Sequence, residues 1–242
     1  MKEENGARFL IVNADDFGLT SGVNRGIIEA HEKGIVTSAS LMVRHPAAQE
    51  AADYARAHPE LSVGLHFDLA EWRFRDRQWD LAYRVIESSD ASAIREEFQR
   101  QLQQFQNLLA RWPSHLDSHQ HVHLLDPVRS ILGESAAHLG VPLRSCSAAI
   151  SYCGSFYGQT DRGGFYPEGI SLAAFIRTVQ SLPPGWTELG CHPGYRIGLD
   201  SVYAAEREEE MRVLRCAELR PVLSAAGVSL RTFHDLKIET LT

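Results

Sequence analysis

Phe9-Leu10-Ile11-Val12-Asn13-Ala14-Asp15-Asp16 is an unbroken, mostly apolar run that ends in two carboxylates. A short continuous apolar segment of this kind reads as a strand buried on both faces of a parallel sheet. Four later segments repeat the arrangement. Leu61-Ser62-Val63-Gly64-Leu65 leads to His66, His115-Leu116-Asp117-Ser118 to His119, Trp186 to Cys191 leads to His192, and Ser229 to Phe233 leads to His234. Parallel α/β folds collect their chemistry where strands hand over to loops at their carboxyl ends. Randomly scattered histidines would not choose that register repeatedly. Two imidazoles and a carboxylate meeting on one face would make a site for a divalent metal ion.

The intervening segments carry helical periodicity. Val23 to Lys33 places Val23, Ile27 and Ala30 on one face, with Ser21 as cap and Gly34 as stop. Val36 to Val43 reads as a strand, and Pro46 opens an alanine-rich helix that closes before Pro59. Ile94 to Trp112 carries the stripe Ile94, Phe98, Leu102, Phe105 and Leu109, a core face rather than a cofactor site. Then follow a helix from Pro127 to Leu139 stopped by Gly140, a strand Pro142 to Cys146, a helix Leu172 to Leu182, and a long polar helix Val202 to Ala225. About seven βα units without a break in composition predict an α/β fold: a closed or nearly closed parallel barrel, one domain over residues 1–242. An open doubly wound sheet is the alternative, but no glycine-rich dinucleotide fingerprint follows the first strand. Ala70 to Asp90 (Trp72, Phe74, Trp79, Tyr83) and Ser147 to Gly169 (Tyr152, Phe156, Tyr157, Phe165, Tyr166) read as long loops on the histidine face. Their aromatics suit either sugar-ring faces or small satellite cores.

Whole-chain numbers narrow the function. The 242 residues, 44% hydrophobic and 23% charged, describe an ordinary globule. A net charge of −7 with dispersed Lys and Arg argues against nucleic-acid binding. Met1 to Arg8 is short and polar with no signal-peptide core, and no run approaches the ~18 apolar residues of a membrane span, so a cytoplasmic location is expected. Cys146, Cys153, Cys191 and Cys216 lack CxxC spacing, so reduced thiols are expected. Cys191 beside His192 could form a nucleophile–base pair. Neighbours on a strand point to opposite faces, however, which favours a buried structural thiol.

Asp15-Asp16 at a strand end can divide labour, one carboxylate holding metal and the other facing substrate; helix capping is the plainer role. Alternation along the extended segment after Leu116 puts Asp117, His119, His121 and His123 on one side, with Leu116, Gln120 and Val122 among those on the other. Imidazole and carboxylate are the donors zinc and similar ions take, and three protein ligands with an open position describe a catalytic site. The remaining members, Asp117 above all, can orient a ligand histidine through its other ring nitrogen.

Leu10-Ile11-Val12-Asn13-Ala14-Asp15-Asp16-Phe17-Gly18-Leu19, with Gly34-Ile35-Val36-Thr37-Ser38, resembles the opening of the YdjC-like carbohydrate deacetylases. That group includes chitooligosaccharide and hopanoid-biosynthesis deacetylases. The resemblance continues through Gly64-Leu65-His66, His115 to His123, Phe156-Tyr157-Gly158 and Cys191-His192-Pro193. It implies a distorted (β/α) barrel like that of polysaccharide deacetylases, and metal-dependent hydrolysis of an N-acetylated sugar to acetate and an amino sugar. Carried over by position, Asp16, His66 and His119 would be metal ligands, Asp15 the general base and His192 the catalytic histidine. Arg144, His121 and His123 would contact substrate or steady the ligands. One divalent ion is implied, zinc or magnesium, with manganese and cobalt as further options, and a homodimer is compatible with an enzyme of this type. After His66 the chain departs from the chitooligosaccharide enzymes, reading Phe67-Asp68-Leu69 into the Arg/Trp-rich segment, so the sugar stays open. Two rivals are carried forward: a metal-dependent phosphoesterase on the same ligands, and a non-catalytic sugar-binding protein. The role of His234 is left unassigned.

Overall fold

The computed structural model describes residues 6–75, 78–160 and 163–237. Most of the expected polar lead-in, Met1–Asn5, lies outside the described residues, as do positions 76–77 and 161–162 of the two aromatic segments and the last five residues. In chain order the elements are β1 Arg8–Phe17, α1 Ser21–Glu32, β2 Ser38–Leu41, α2 Ala48–Ala57, β3 Ser62–Phe67, β4 Ala70–Arg75, β5 Gln78–Arg84 and α3 Ala91–Leu109. There follow β6 Leu116–Ser118, α4 Val128–Leu139, β7 Ser151–Cys153, α5 Leu172–Ser181, β8 Gly185–Cys191, α6 Ala204–Leu214, α7 Leu219–Ala225 and β9 Val228–Leu230.

Among the described residues one sheet runs β6-β3-β2-β1-β8-β7, every neighbour pair parallel. β9 flanks the start of β1 at Arg8–Leu10, on the stretch that β2 does not reach. The sheet curls but does not close by backbone pairing between β6 and β7. The expected strand Pro142 to Cys146 shrinks to a single bridge, Leu116 with Leu143, because Ser145 adopts a left-handed conformation (φ 58°) that turns the chain away. The guanidinium of Arg144 spans the gap instead, bonded to Glu188 of β8 and lying 4.9 Å from the ring centre of Tyr152 in β7.

Strand alternation divides the core into two layers. Leu10, Val12 and Ala14 of β1 join Ala39, Leu41, Val63, Leu65, Phe67, Leu116 and Leu189 in packing outward beneath the helices. The stripe Ile94, Phe98, Leu102, Phe105 and Leu109 of α3 is buried in that layer as expected. Inward, Ile11 packs with Ile150 and Phe233 near the amino-terminal end, while Asn13 further along bonds Ser40 and Asp15. The interior therefore grades from apolar to polar along the strands. Glycine makes the polar end possible: a Cβ at Gly190 would lie 2.5 Å from the Tyr152 hydroxyl.

Four expectations need correction beyond the missing strand, one being that Ser147 to Gly169 is not a plain loop, since Ser151–Cys153 pairs with β8 as β7. Thr20, not Ser21, caps α1, its hydroxyl accepting the Val23 N–H. The single long polar helix is two, α6 and α7, and Pro221 in the first turn of α7 explains it: its ring cannot follow a helical residue four positions back. The segment Ala70 to Asp90 is not a plain loop, because β4 and β5 form an antiparallel hairpin. No helix among the described residues is long and apolar enough to cross a membrane.

Candidate metal centre and active site

β1 ends in a register shift against β2 between Ala14 and Phe17, and Asp16 takes φ 67°. Adjacent strand residues normally face opposite sides, but a bulge re-aims them, and aspartate tolerates the left-handed region better than most residues. Both carboxylates consequently reach the interior and line one cleft of about 390 Å³.

Asp16 meets the two expected imidazoles. His66 Nε2 lies 3.3 Å and His119 Nδ1 3.1 Å from its Oδ1. One donor atom from each of the three residues falls within 4.8 Å of the others, as metal ligands must. Asp117 accepts from His66 Nδ1 at 2.8 Å, fixing that ring so its Nε2 points to Asp16. Burial pushes the Asp16 carboxyl up, but the Arg207 guanidinium and His119 outweigh it and hold the group well below the usual range. For His66, burial opposes the charged form while Asp117 draws the pKa well up. His119 Nε2 is buried without a hydrogen-bond partner among the described residues.

Asp15 turns away from that cluster toward Arg144, which donates to both of its oxygens at 2.7 Å. The guanidinium is buried completely and also bonds Asp117 and Glu188, each at 2.7 Å. Burial raises the Asp15 pKa and Arg144 more than compensates, leaving the carboxyl below its ordinary value. Glu188, less well paired, is pushed by burial up to about 7. Of the two roles expected of Arg144, contact with substrate or support of the ligands, its burial beneath the floor and its bonds to Asp15 and Asp117 favour the second. Its effect on the cleft passes through Asp15 and, by way of Asp117, through His66.

His192, following β8, stands with Nε2 3.8 Å from Asp15 Oδ2, its side chain one-fifth exposed to the cleft. Burial lowers its pKa to about 4, so the ring is neutral near pH 7. Glu210 of α6 accepts the His192 backbone N–H and, at 2.5 Å, the Tyr203 hydroxyl. Burial lifts Glu210 to about 8. The adjacent Cys191 is the structural thiol expected: it is fully buried, donates to the Asn13 carbonyl, and burial holds its pKa well above that of a free thiol.

The four-residue alternation after Leu116 fails. β6 stops at Ser118 and His119–Leu124 form tight helical turns with Gln120 and His121 left-handed. His121 still lines the cleft, but His123 is buried, bonded to Ser118 Oγ at 2.6 Å. His234 is absent from the cleft lining, although its neighbour Phe233 stacks on His115 at 3.9 Å. Sequence reasoning missed Arg207, Glu188, Tyr203 and Glu210. Only Glu188 left a signal, a carboxylate inside an otherwise buried strand.

The hairpin roofs the cleft. Trp72 exchanges backbone hydrogen bonds with the Gln120 side chain, Arg73 pairs with Asp200 at 2.7 Å, and Phe74 packs against Gly163. Trp72, Phe74, Trp79, Tyr152, Phe156, Tyr157 and Tyr203 supply the aromatic lining, whereas Phe165 and Tyr166 stay outside it.

A carbohydrate deacetylase of Geobacillus stearothermophilus is 33% identical over 94% of this chain and 98% of its own length. A chitooligosaccharide deacetylase of Klebsiella pneumoniae subsp. pneumoniae is 34% identical over 95% and 99%. The crystal structure of an Enterococcus faecalis V583 protein, provisionally named a cellobiose-phosphate cleavage protein, superposes with TM-score 0.77 at 24% identity, covering 96% of this chain and 100% of that one. A family 4 carbohydrate esterase from Streptomyces lividans shares the fold at TM-score 0.55 and 13% identity, covering 93% and 92%. The family model of YdjC-like proteins matches residues 9–225, and the chain belongs to that family.

Proposed function

We propose that residues 1–242 form one catalytic domain that removes the N-acetyl group from an acetylated amino sugar, releasing acetate and the amine. The observation that carries this reading is the convergence of Asp16, His66 and His119 at the floor of an aromatic-lined cleft, with Asp15 and His192 beside them. The relatives' names as carbohydrate and chitooligosaccharide deacetylases support it.

The residues suit a divalent ion. Asp16, His66 and His119 offer one carboxylate and two imidazoles, donors that zinc accepts readily and that magnesium, manganese or cobalt can share. The unpaired, buried Nε2 of His119 is the kind of orphaned donor an ion would satisfy. When bound, the ion supplies Lewis acidity for the acetyl carbonyl and for water. Asp15, kept ionised by Arg144, accepts the proton of the attacking water. His192 enters the cycle as a neutral ring 3.8 Å from Asp15 Oδ2, so it takes over the proton that Asp15 received from the water and delivers it to the departing nitrogen, which leaves poorly as an amide anion. Tyr157 and Tyr203 flank the imidazole, with ring centres 5.6 and 5.5 Å away, and limit its orientations. Trp72, Phe74 and Trp79 present apolar faces that match the C–H faces of sugar rings.

Screening N-acetylated saccharides should yield one acetate per free amine, with activity lost to a chelator and restored by a divalent ion. Phosphate release from phosphate esters, or sugar affinity with no acetate at any metal loading, would decide for one of the two rivals. The arginines in the cleft lining speak against phosphate: Arg207 is bonded to Asp16, and Arg73 to Glu71 and Asp200. Trp79, 57% exposed on the hairpin, should act in binding alone. Trp79→Ala is expected to raise KM by about 5- to 10-fold, the scale of one lost aromatic contact, with kcat changed less than about twofold. An equal fall in kcat would remove the hairpin from the role of binding platform.

A further inference from the structure

Asp16 has two oxygens, and the structure uses them for different purposes. Oδ1 faces His66 and His119, at 3.3 and 3.1 Å. Oδ2 is bonded by Nη2 of Arg207, a residue of α6 that neither the motifs nor the proposed reaction calls upon. The arginine is 4% exposed and firmly seated. Its Nη1 reaches the His192 carbonyl at 3.4 Å, its own backbone carbonyl accepts the Gly194 N–H at 3.2 Å, and its guanidinium carbon lies 5.9 Å from the Tyr203 ring centre. A surface ion pair would be mobile and weakly coupled; this one is held at several points.

We infer that Arg207 makes Asp16 a one-oxygen ligand and sets which cations the centre accepts. The inference rests on the metal-centre reading above. Two physical consequences follow from the geometry. First, a carboxylate whose second oxygen already accepts from a guanidinium has less electron density to give an ion there, so chelation through both oxygens is disfavoured. Zinc, with a small coordination number, is served by a single oxygen, whereas calcium fills six to eight positions and gains from bidentate carboxylates. Second, a permanent positive charge bonded to the ligand repels any divalent ion in the centre, with little screening because the pair is buried. Arg207 therefore lowers affinity for all divalent ions and disfavours large ones most. It is a positioning residue, acting on the ion through Asp16.

The test is calorimetric titration of the purified full-length protein with zinc and, separately, with calcium. In Arg207→Met, which keeps length and loses charge and donors, both ions should bind more tightly. The gain for calcium should exceed that for zinc by at least about 10-fold, since calcium alone benefits from the second oxygen. Arg207→Gln keeps a neutral donor near Oδ2 and loses only the charge. It should tighten both ions by about 10-fold or more and to similar extents, so the inference stays testable if the methionine variant fails to fold. An unchanged zinc-to-calcium ratio in Arg207→Met, or weaker binding of both ions in either variant, overturns the role given to Arg207 while leaving the metal centre standing. Failure of the unaltered protein to bind either ion overturns both.

Discussion

His66→Ala is expected to lose bound metal and turnover together. His66 is the most constrained of the three donors: it is 1% exposed, its Nδ1 is held by Asp117 at 2.8 Å, and its Nε2 is directed at the cluster. Two neighbouring imidazoles are already engaged elsewhere. His115 is occupied by Ser40 and Ser114 and stacked on Phe233, and His123 is bonded to Ser118. Ion affinity should fall by more than about 100-fold, since even the outer partners of metal ligands cost 10- to 100-fold when removed. Turnover should fall by about a thousandfold or more, the several kcal/mol that metal polarisation contributes. The fold should survive, because Asp117 keeps Arg144 and Ser40 as partners. Elemental analysis beside an acetate assay on the folded variant decides the matter. Full metal stoichiometry at the original rate would end the assignment of His66 as ligand.

Asp15→Asn should produce the complementary result: metal retained, turnover reduced by about 100- to 10,000-fold, the usual contribution of a general base. Asparagine keeps the shape and still offers one oxygen to Arg144, which also keeps Asp117 and Glu188. The buried guanidinium is thus not left unpaired, and gross unfolding is not expected. The pair of variants separates holding the ion from moving the proton. Loss of metal in Asp15→Asn would place Asp15 in the coordination shell, and unchanged turnover would remove it as base.

The sequence was most legible where backbone periodicity alone sets the outcome. Apolar runs placed β1, β3, β6 and β8, and the residue closing each one, Asp15-Asp16, His66, His119 and His192, lines the same cleft. The fifth strand end was misleading: His234 follows β9, which lies beside the start of β1, too far down the sheet to reach the site. The alternation drawn through His119, His121 and His123 assumed an extended chain that Gln120 and His121 abandon by turning left-handed.

The main parallel strands β1, β2, β3, β6 and β8, the buried stripe of α3 and the three residues proposed as donors were legible in the sequence, because each depends on spacing within one segment or on a motif shared across a family. What holds those donors belongs to the folded molecule. Arg144 pairs with Asp15, Asp117 and Glu188 from a segment that no strand pattern marks, and Arg207 reaches Asp16 from 191 positions away. Buried charges must find partners or shift their pKa values. Which partner serves is decided by proximity in three dimensions, and a one-dimensional pattern carries no record of it.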